Sequence, residues 1–201
     1  MRSGKEANRR GVFLNVPFDK GYEPLFVALI SALVSIGRVP HCVLEVPDGG
    51  DGRLVRIIRL IRSCPVSVHD LCRVGLPVRF NMPFELGIAA ALNRIGEGHK
   101  FFMLESKRYR LQRTLSDTNG IDPGIHGSTV KGMISCALAH LGKPRGNPDV
   151  KTILRIQRQL WKSVNSFKTI HGRTSIYSRP IFRQLVDAAT ILGKKEGLIG
   201  A

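Results

Sequence analysis

The 201-residue chain carries 31 Lys and Arg against 15 Asp and Glu, a formal charge of +16, yet 43% of it is apolar and only 23% is charged. A disordered basic tail would lack that apolar content, so the composition implies a folded chain with excess positive charge on its surface. The longest apolar stretch, Leu25 to Ile36, contains Ser31 and Ser35 and falls well short of the roughly 20 residues that cross a bilayer, so a buried helix is expected there and no membrane association.

Residues 1–10 are polar and basic with no hydrophobic run behind them, which predicts an N-terminal tail without a secretory signal and a cytoplasmic protein. GVFLNV, residues 11–16, is a short apolar run broken by Pro17, as in a buried strand that ends at a loop. A helix follows over 22–36, with Pro24 tolerable in its first turn and Gly37 as its stop. VPHCVLEV, 39–46, reads as a second strand closed by the turn-rich PDGGDG of 47–52. The run RLVRIIRLIR predicts a helix over 53–63, whose three-residue spacing fans Arg53, Arg56, Arg59 and Arg62 across one side. Leu54, Ile57, Ile58 and Ile61 supply its apolar face. VSVHDL, 66–71, is a third strand, and LGIAAAL, 86–92, is the body of a helix begun by Asn81 and Pro83. KFFMLE, 100–105, is a fourth strand. Alternation of strand and helix predicts a central parallel sheet covered by helices on both faces.

After Glu105 the pattern loosens into a long loop over 106–128, with room for one short helical or extended piece. A helix over 129–141 closes a domain spanning 11–142, KPRGNP at 143–148 is a linker, and 149–201 reads as a basic extension of two helices, 149–168 and 178–193. The charge is uneven: residues 53–113 hold twelve basic against four acidic, and 151–201 ten against two, while the first fifty are close to neutral. These two blocks suit a solvated face, an assembly contact, or an acidic partner such as nucleic acid.

The cysteines, Cys42, Cys64, Cys72 and Cys136, show no C-x-x-C pair, so reduced thiols are expected. Cys64, His69 and Cys72 lack a fourth ligand at sensible spacing, and no metal site is expected. The chain also has no G-x-x-x-x-G-K-[ST], G-x-G-x-x-G or G-x-S-x-G motif, which leaves a standard phosphate loop or hydrolase elbow unsupported.

In a doubly wound sheet, ligands sit at the carboxyl ends of the strands. Four segments meet that condition: Asn15 to Asp19, Pro47 to Asp51, His69-Asp70, and Arg79 to Glu85. Glu85 is the first choice for chemistry, since a carboxylate one turn into a helix, between Phe84 and Leu86, is held near apolar surroundings where it can meet sugar hydroxyls or a developing cation. The plain alternative is a helix-start Glu stabilised by the macrodipole. Asp70 presents a similar choice between capping a loop and binding a sugar.

VFLNVPFDKGYEPLF, followed by VSVHDL and RFNMPFELGIAAAL, resembles bacterial proteins with TIR-like domains, related to the nucleoside 2-deoxyribosyltransferase group. The resemblance covers residues 11–141, and its most specific element is FELG before a small-residue helix. SDTNGIDPGIH, 116–126, also looks like an element of this branch. The resemblance implies a flavodoxin-like three-layer α/β fold and cleavage of an N-glycosidic bond, in TIR-like enzymes the nicotinamide–ribose bond of NAD⁺. It assigns Glu85 as the catalytic carboxylate, with no cofactor beyond NAD⁺ as substrate. It further implies a self-associating effector of bacterial antiviral defence. Nicotinamide leaves as a neutral molecule, so one carboxylate facing an oxocarbenium-like state suffices. Asp70 would then be the second polar group, Phe18 and Phe84 apolar walls, and Asn15, Asp19, Arg79 and Asn81 contacts to ribose or phosphate. A purine or pyrimidine leaving group would instead need protonation, by Asp70, Asp122 or His126, the last carried over the pocket by the long loop. The open alternatives are a nucleoside or nucleotide N-glycosidase or deoxyribosyltransferase, and a non-catalytic nucleotide or nucleic-acid binding module.

Overall fold

The structure is a computed structural model and describes residues 9–46, 52–73, 80–96, 98–118, 120–142 and 147–200. Five strands, β1 (Gly11–Asn15), β2 (Val39–Cys42), β3 (Val66–Asp70), β4 (Lys100–Glu105) and β5 (Gly124–Ile125), pair in parallel in the order β2-β1-β3-β4-β5. Among the described residues they alternate with α-helices α1 (Glu23–Ser35), α2 (Arg53–Ser63), α3 (Asn81–Arg94), α4 (Arg110–Thr114), α5 (Val130–Leu141), α6 (Val150–Ile170) and α7 (Arg179–Lys195). This is the flavodoxin-like α/β class that the strand–helix alternation and the resemblance lead one to expect.

Two strand boundaries differ from the sequence pattern. β2 ends at Cys42, because Val43–Glu45 turn into a short 3₁₀ segment whose Glu45 carboxylate reaches back to His41 Nδ1 at 2.9 Å. The region read as a loop after Glu105 contains α4, a 3₁₀ turn at Ser116–Thr118 and the two-residue strand β5. Two residues are too few for an alternating pattern to register, and only the free edge of β4 makes them a strand.

The chain divides into two compact units that interleave along the sequence. Met1–Pro17 and Val39–Gly127 make a sheet unit, and Phe18–Arg38 with Ser128–Ala201 a helical unit. In the sheet unit, β1 and β3 are buried along their whole length, as fits central parallel strands. Phe13 packs with Ile57 and Ile61 of α2, Cys64, and Ala89 and Leu92 of α3. A second cluster joins Leu71, Met82, Leu86, Met103 and Leu111. The apolar face of α2 is narrower than its sequence pattern, since Leu54 is 46% exposed. Arg53, Arg59 and Arg62 lie exposed on the same helix.

In the helical unit, α1 packs against α5, α6 and α7 and is buried from Leu25 to Val34. No helix among the described residues is long and apolar enough to cross a membrane. Gly37 follows α1 with φ of 76°, a left-handed stop that a side chain would strain. Phe18 stacks on Tyr177 with ring centroids 4.9 Å apart, and Phe26 lies between Tyr177 and Phe182. Glu23, 3% exposed, accepts from Lys168 Nζ at 2.7 Å and from the Ile176 amide.

Candidate active site

The sheet period of two sets out the chemistry of β3: Ser67 and His69 point to one face, Val66, Val68 and Asp70 to the other. Register places Phe13 opposite Ser67 and Asn15 opposite His69, so the two central strands present a polar end and an aromatic on the same face. There a chain of hydrogen bonds runs through the interior. Asn15 Nδ2 stands 2.8 Å from the Met82 carbonyl and 2.9 Å from His69 Nδ1. His69 Nε2 lies 2.8 Å from Ser67 Oγ, which lies 2.8 Å from His99 Nε2, and His99 Nδ1 is 2.8 Å from the Cys64 carbonyl.

Both ends of this chain are backbone carbonyls, which only accept, and that determines every proton between them. From one end, the Asn15 group facing Met82 is its NH₂, so it also donates to His69 Nδ1, leaving the His69 proton on Nε2 for Ser67. From the other, His99 must carry its proton on Nδ1 toward Cys64, so its Nε2 accepts from the Ser67 hydroxyl. The two derivations agree at the Ser67 hydroxyl, and His69 is neutral. Burial, then the neighbouring His99, pushes the His69 pKa from 6.5 down to about 3. This network ties the carboxyl end of β1 to that of β3 and to the first turn of α3. Those strand ends are where a sheet of this order changes direction and where its ligands are expected.

Glu85 follows Met82 by three residues, on the same side of α3. It is 6% exposed, hydrogen-bonds Asn81 one turn earlier, and feels the charge of Arg53. Burial outweighs both and lifts its carboxyl from 4.5 to about 7. Phe80 and Phe84, four residues apart on the same turn, are 77% and 55% exposed.

On the opposite face of β3, Asp70 is fully buried. Its Oδ1 accepts from the Cys72 amide at 3.0 Å, the short local turn that aspartate favours. Its Oδ2 lies 3.2 Å from His126 Nε2. His126 continues from β5, its amide donating to the Glu105 carbonyl at 3.0 Å. The buried Glu105 carboxylate pairs with Arg110, whose Nη2 also donates to the Cys72 carbonyl at 2.8 Å. Arg110 thereby joins the segments that follow β3 and β4. Burial pushes the Cys72 thiol well above its usual range.

The sequence-predicted residues therefore separate into groups. Asn15, Asn81, Glu85 and Phe84 share the end of the sheet unit where β1 meets α3. Asp70 is not a surface contact for sugar, because it is fully buried and both oxygens are engaged within the fold. His126 is not a loop residue held over a pocket but a buried partner of Asp70, since β5 takes it into the sheet. Phe18 and Asp19 belong to the helical unit, where Phe18 packs on aromatic rings and the Asp19 carbonyl accepts from Tyr177 Oη at 2.9 Å. Arg79 and most of PDGGDG lie outside the described residues.

Sequence reasoning passed over Ser67 and His99 as site residues and named His69 only within the His69-Asp70 strand end. A Ser and a His two apart in an otherwise apolar strand were the available signal, whereas nothing local marks His99 as their continuation. Fold and site define an α/β flavodoxin-like domain with buried titratable groups at the carboxyl ends of β1 and β3. No family profile, curated protein or solved structure matches the chain.

Proposed function

We propose that the chain is a hydrolase of N-glycosidic bonds acting on NAD⁺, with Glu85 as its catalytic carboxylate. The observation that carries this reading is Glu85 itself, a buried carboxylate at the carboxyl end of a parallel sheet, its pKa raised to about 7 and exposed aromatic rings on its own helix turn. Raised carboxyl pKa values at a strand-end site mark catalytic candidates. Leaving nicotinamide carries away the positive charge of the pyridinium, and positive charge develops on the ribose carbon. An ionised Glu85 faces that charge in a low-dielectric setting, where the attraction is strong. Phe84 offers an apolar wall for a planar base, and Asn81 orients the carboxylate. Asp70 and His126, enclosed by the fold on the other face of β3, have no contact with substrate in this reading. As the family resemblance implies, self-association would complete the site and the setting would be antiviral defence.

The test is nicotinamide release from NAD⁺ by the full chain at high protein concentration, compared with Glu85→Gln. Turnover in the wild type and its loss in the variant are expected; equal turnover in both would remove Glu85 from this role.

A second reading, a nucleoside or nucleotide N-glycosidase, is favoured by one specific feature. Near pH 7 about half of Glu85 would be protonated, as a general acid for a neutral base requires. The pH profile separates the two. NAD⁺ cleavage through the carboxylate rises with pH through 7, whereas base release that uses Glu85 as acid falls through the same range.

A further inference from the structure

We infer that Asp70, Cys72 and His126 form a binding site for a thiophilic divalent cation of the zinc class. The three residues come from the end of β3, the segment just after it, and the end of β5, so only the folded sheet unit assembles them. A carboxylate oxygen, a thiol sulfur and an imidazole nitrogen stand within 4.8 Å of one another, on residues 0%, 5% and 1% exposed. Among the described residues no other group of three such side chains stands as close.

The spacing matches zinc chemistry. Oxygen and nitrogen ligands each about 2.0–2.1 Å from zinc and separated by the tetrahedral angle stand roughly 3.3 Å apart. Asp70 Oδ2 and His126 Nε2 are 3.2 Å apart. With a zinc–sulfur bond of about 2.3 Å, the sulfur belongs roughly 3.6 Å from each. The Cys72 sulfur, within 4.8 Å, closes to that distance by approaching each partner by at most about 1.2 Å.

The surroundings hold the donors in place, as the outer contacts of metal ligands do. Asp70 Oδ1 is anchored by the Cys72 amide, His126 by its amide bond to Glu105, and Cys72 by Arg110 on its carbonyl. Glu105 is already paired with Arg110 and does not compete for the ion. One sulfur, one nitrogen and one carboxylate oxygen select zinc-like ions over magnesium or calcium, which take all-oxygen sets. Binding releases the thiol proton, and the thiolate and carboxylate together balance the dication. Three protein donors are the complement of zinc sites that also bind water or a ligand oxygen.

The experiment is titration of the metal-free full chain with Co²⁺ and then Zn²⁺, followed by thiolate-to-cobalt charge-transfer absorption and by calorimetry. One Co²⁺ per chain with a thiolate band is expected, displaced by Zn²⁺. Cys72→Ser should abolish the band, His126→Gln should weaken Zn²⁺ binding by more than the roughly 10–100-fold lost when an outer contact of a ligand is removed, and Cys64→Ser should leave both unchanged. Absence of a thiolate band in the wild type, or its survival in Cys72→Ser, overturns the site. If Cys72→Ser fails to fold, X-ray absorption of the zinc-loaded wild type decides. One sulfur with nitrogen and oxygen neighbours supports the site, and a shell with no sulfur, or with two or more, overturns it. Nicotinamide release reads Glu85 alone, so failure of the metal site and failure of the glycosidase reading are separate results.

Discussion

The two units bury their polar groups in different ways. In the helical unit such groups brace helices and their ends: Ser31 Oγ donates to the Val27 carbonyl, Thr152 serves the Asp149 cap, and Glu23 accepts from Lys168 and the Ile176 amide. Their work is to hold α1 among its neighbours, together with the Phe18, Phe26, Tyr177 and Phe182 rings. In the sheet unit, Asn15, Ser67, His69, Asp70, Glu85, His99, Glu105 and His126 are all buried, and most are linked across long stretches of sequence. Buried titratable groups cost stability unless each is paired, so their concentration in one sheet, with His69, Asp70, Glu85, Glu105 and His126 toward its carboxyl end, is where chemistry is to be sought. The helical unit uses its buried polar groups to brace helices, and the sheet unit holds most of the buried titratable groups.

Glu85 provides the sharpest way to break this contrast. Glu85→Gln should reduce NAD⁺ cleavage by about a thousandfold, the scale of losing a charge that stabilises a transition state. It should also stabilise the fold. Between pH 4.5 and 7 the unfolded chain releases the Glu85 proton while the folded chain keeps it, so wild-type stability falls as pH rises, by roughly 3 kcal/mol. The variant should show no such loss in urea unfolding above pH 7, and a less stable variant would mean that Glu85 is a structural residue.

His69 predicts the opposite slope. Below pH 6.5 the unfolded chain takes up a proton that folded His69 refuses until about pH 3. Stability present at neutral pH is therefore lost on acidification across that window, on the order of 4 kcal/mol. His69→Gln should flatten this acid limb in urea midpoints measured between pH 6.5 and 3.5.

In the helical unit, Glu23→Ala should destabilise by about 2–3 kcal/mol, because it strands Lys168 and the Ile176 amide. That loss should appear in chemical unfolding at neutral pH. The smallest effect belongs to Tyr177→Phe, which removes one hydrogen bond to Asp19 while leaving the ring stack, about 1 kcal/mol in the same assay. A change in NAD⁺ cleavage as large as that of Glu85→Gln from either variant would erase the distinction between the units.

Most of the fold was legible because its elements are long enough to carry a period. β1, β3 and β4 stand where their apolar runs placed them, and α6 and α7 extend the predicted helices by only a turn or less. What escaped is short or depends on a neighbour: the end of β2, where His41 and Glu45 close a turn, and β5, whose two residues are a strand only because β4 is beside them. The site was partly legible. Glu85 was marked by its place in FELG and Asn15 by its place at a strand end, but their surroundings were not. His126 looked like a loop residue because the strand that buries it leaves no pattern.

The sequence by itself determined the α/β alternation, the buried α1 and the excess of positive charge, because these follow from composition and local periodicity, while the candidacy of Glu85 came from its place at a helix start and from the FELG resemblance. Only the tertiary structure decided which groups meet. Strand register set Asn15 against His69, the sheet's added edge brought His126 to Asp70 and Cys72, and packing drew Glu85 out of water. Proton positions, pKa shifts and ligand geometry depend on distances of a few ångströms between residues far apart in the chain, and that information exists only once the chain has folded.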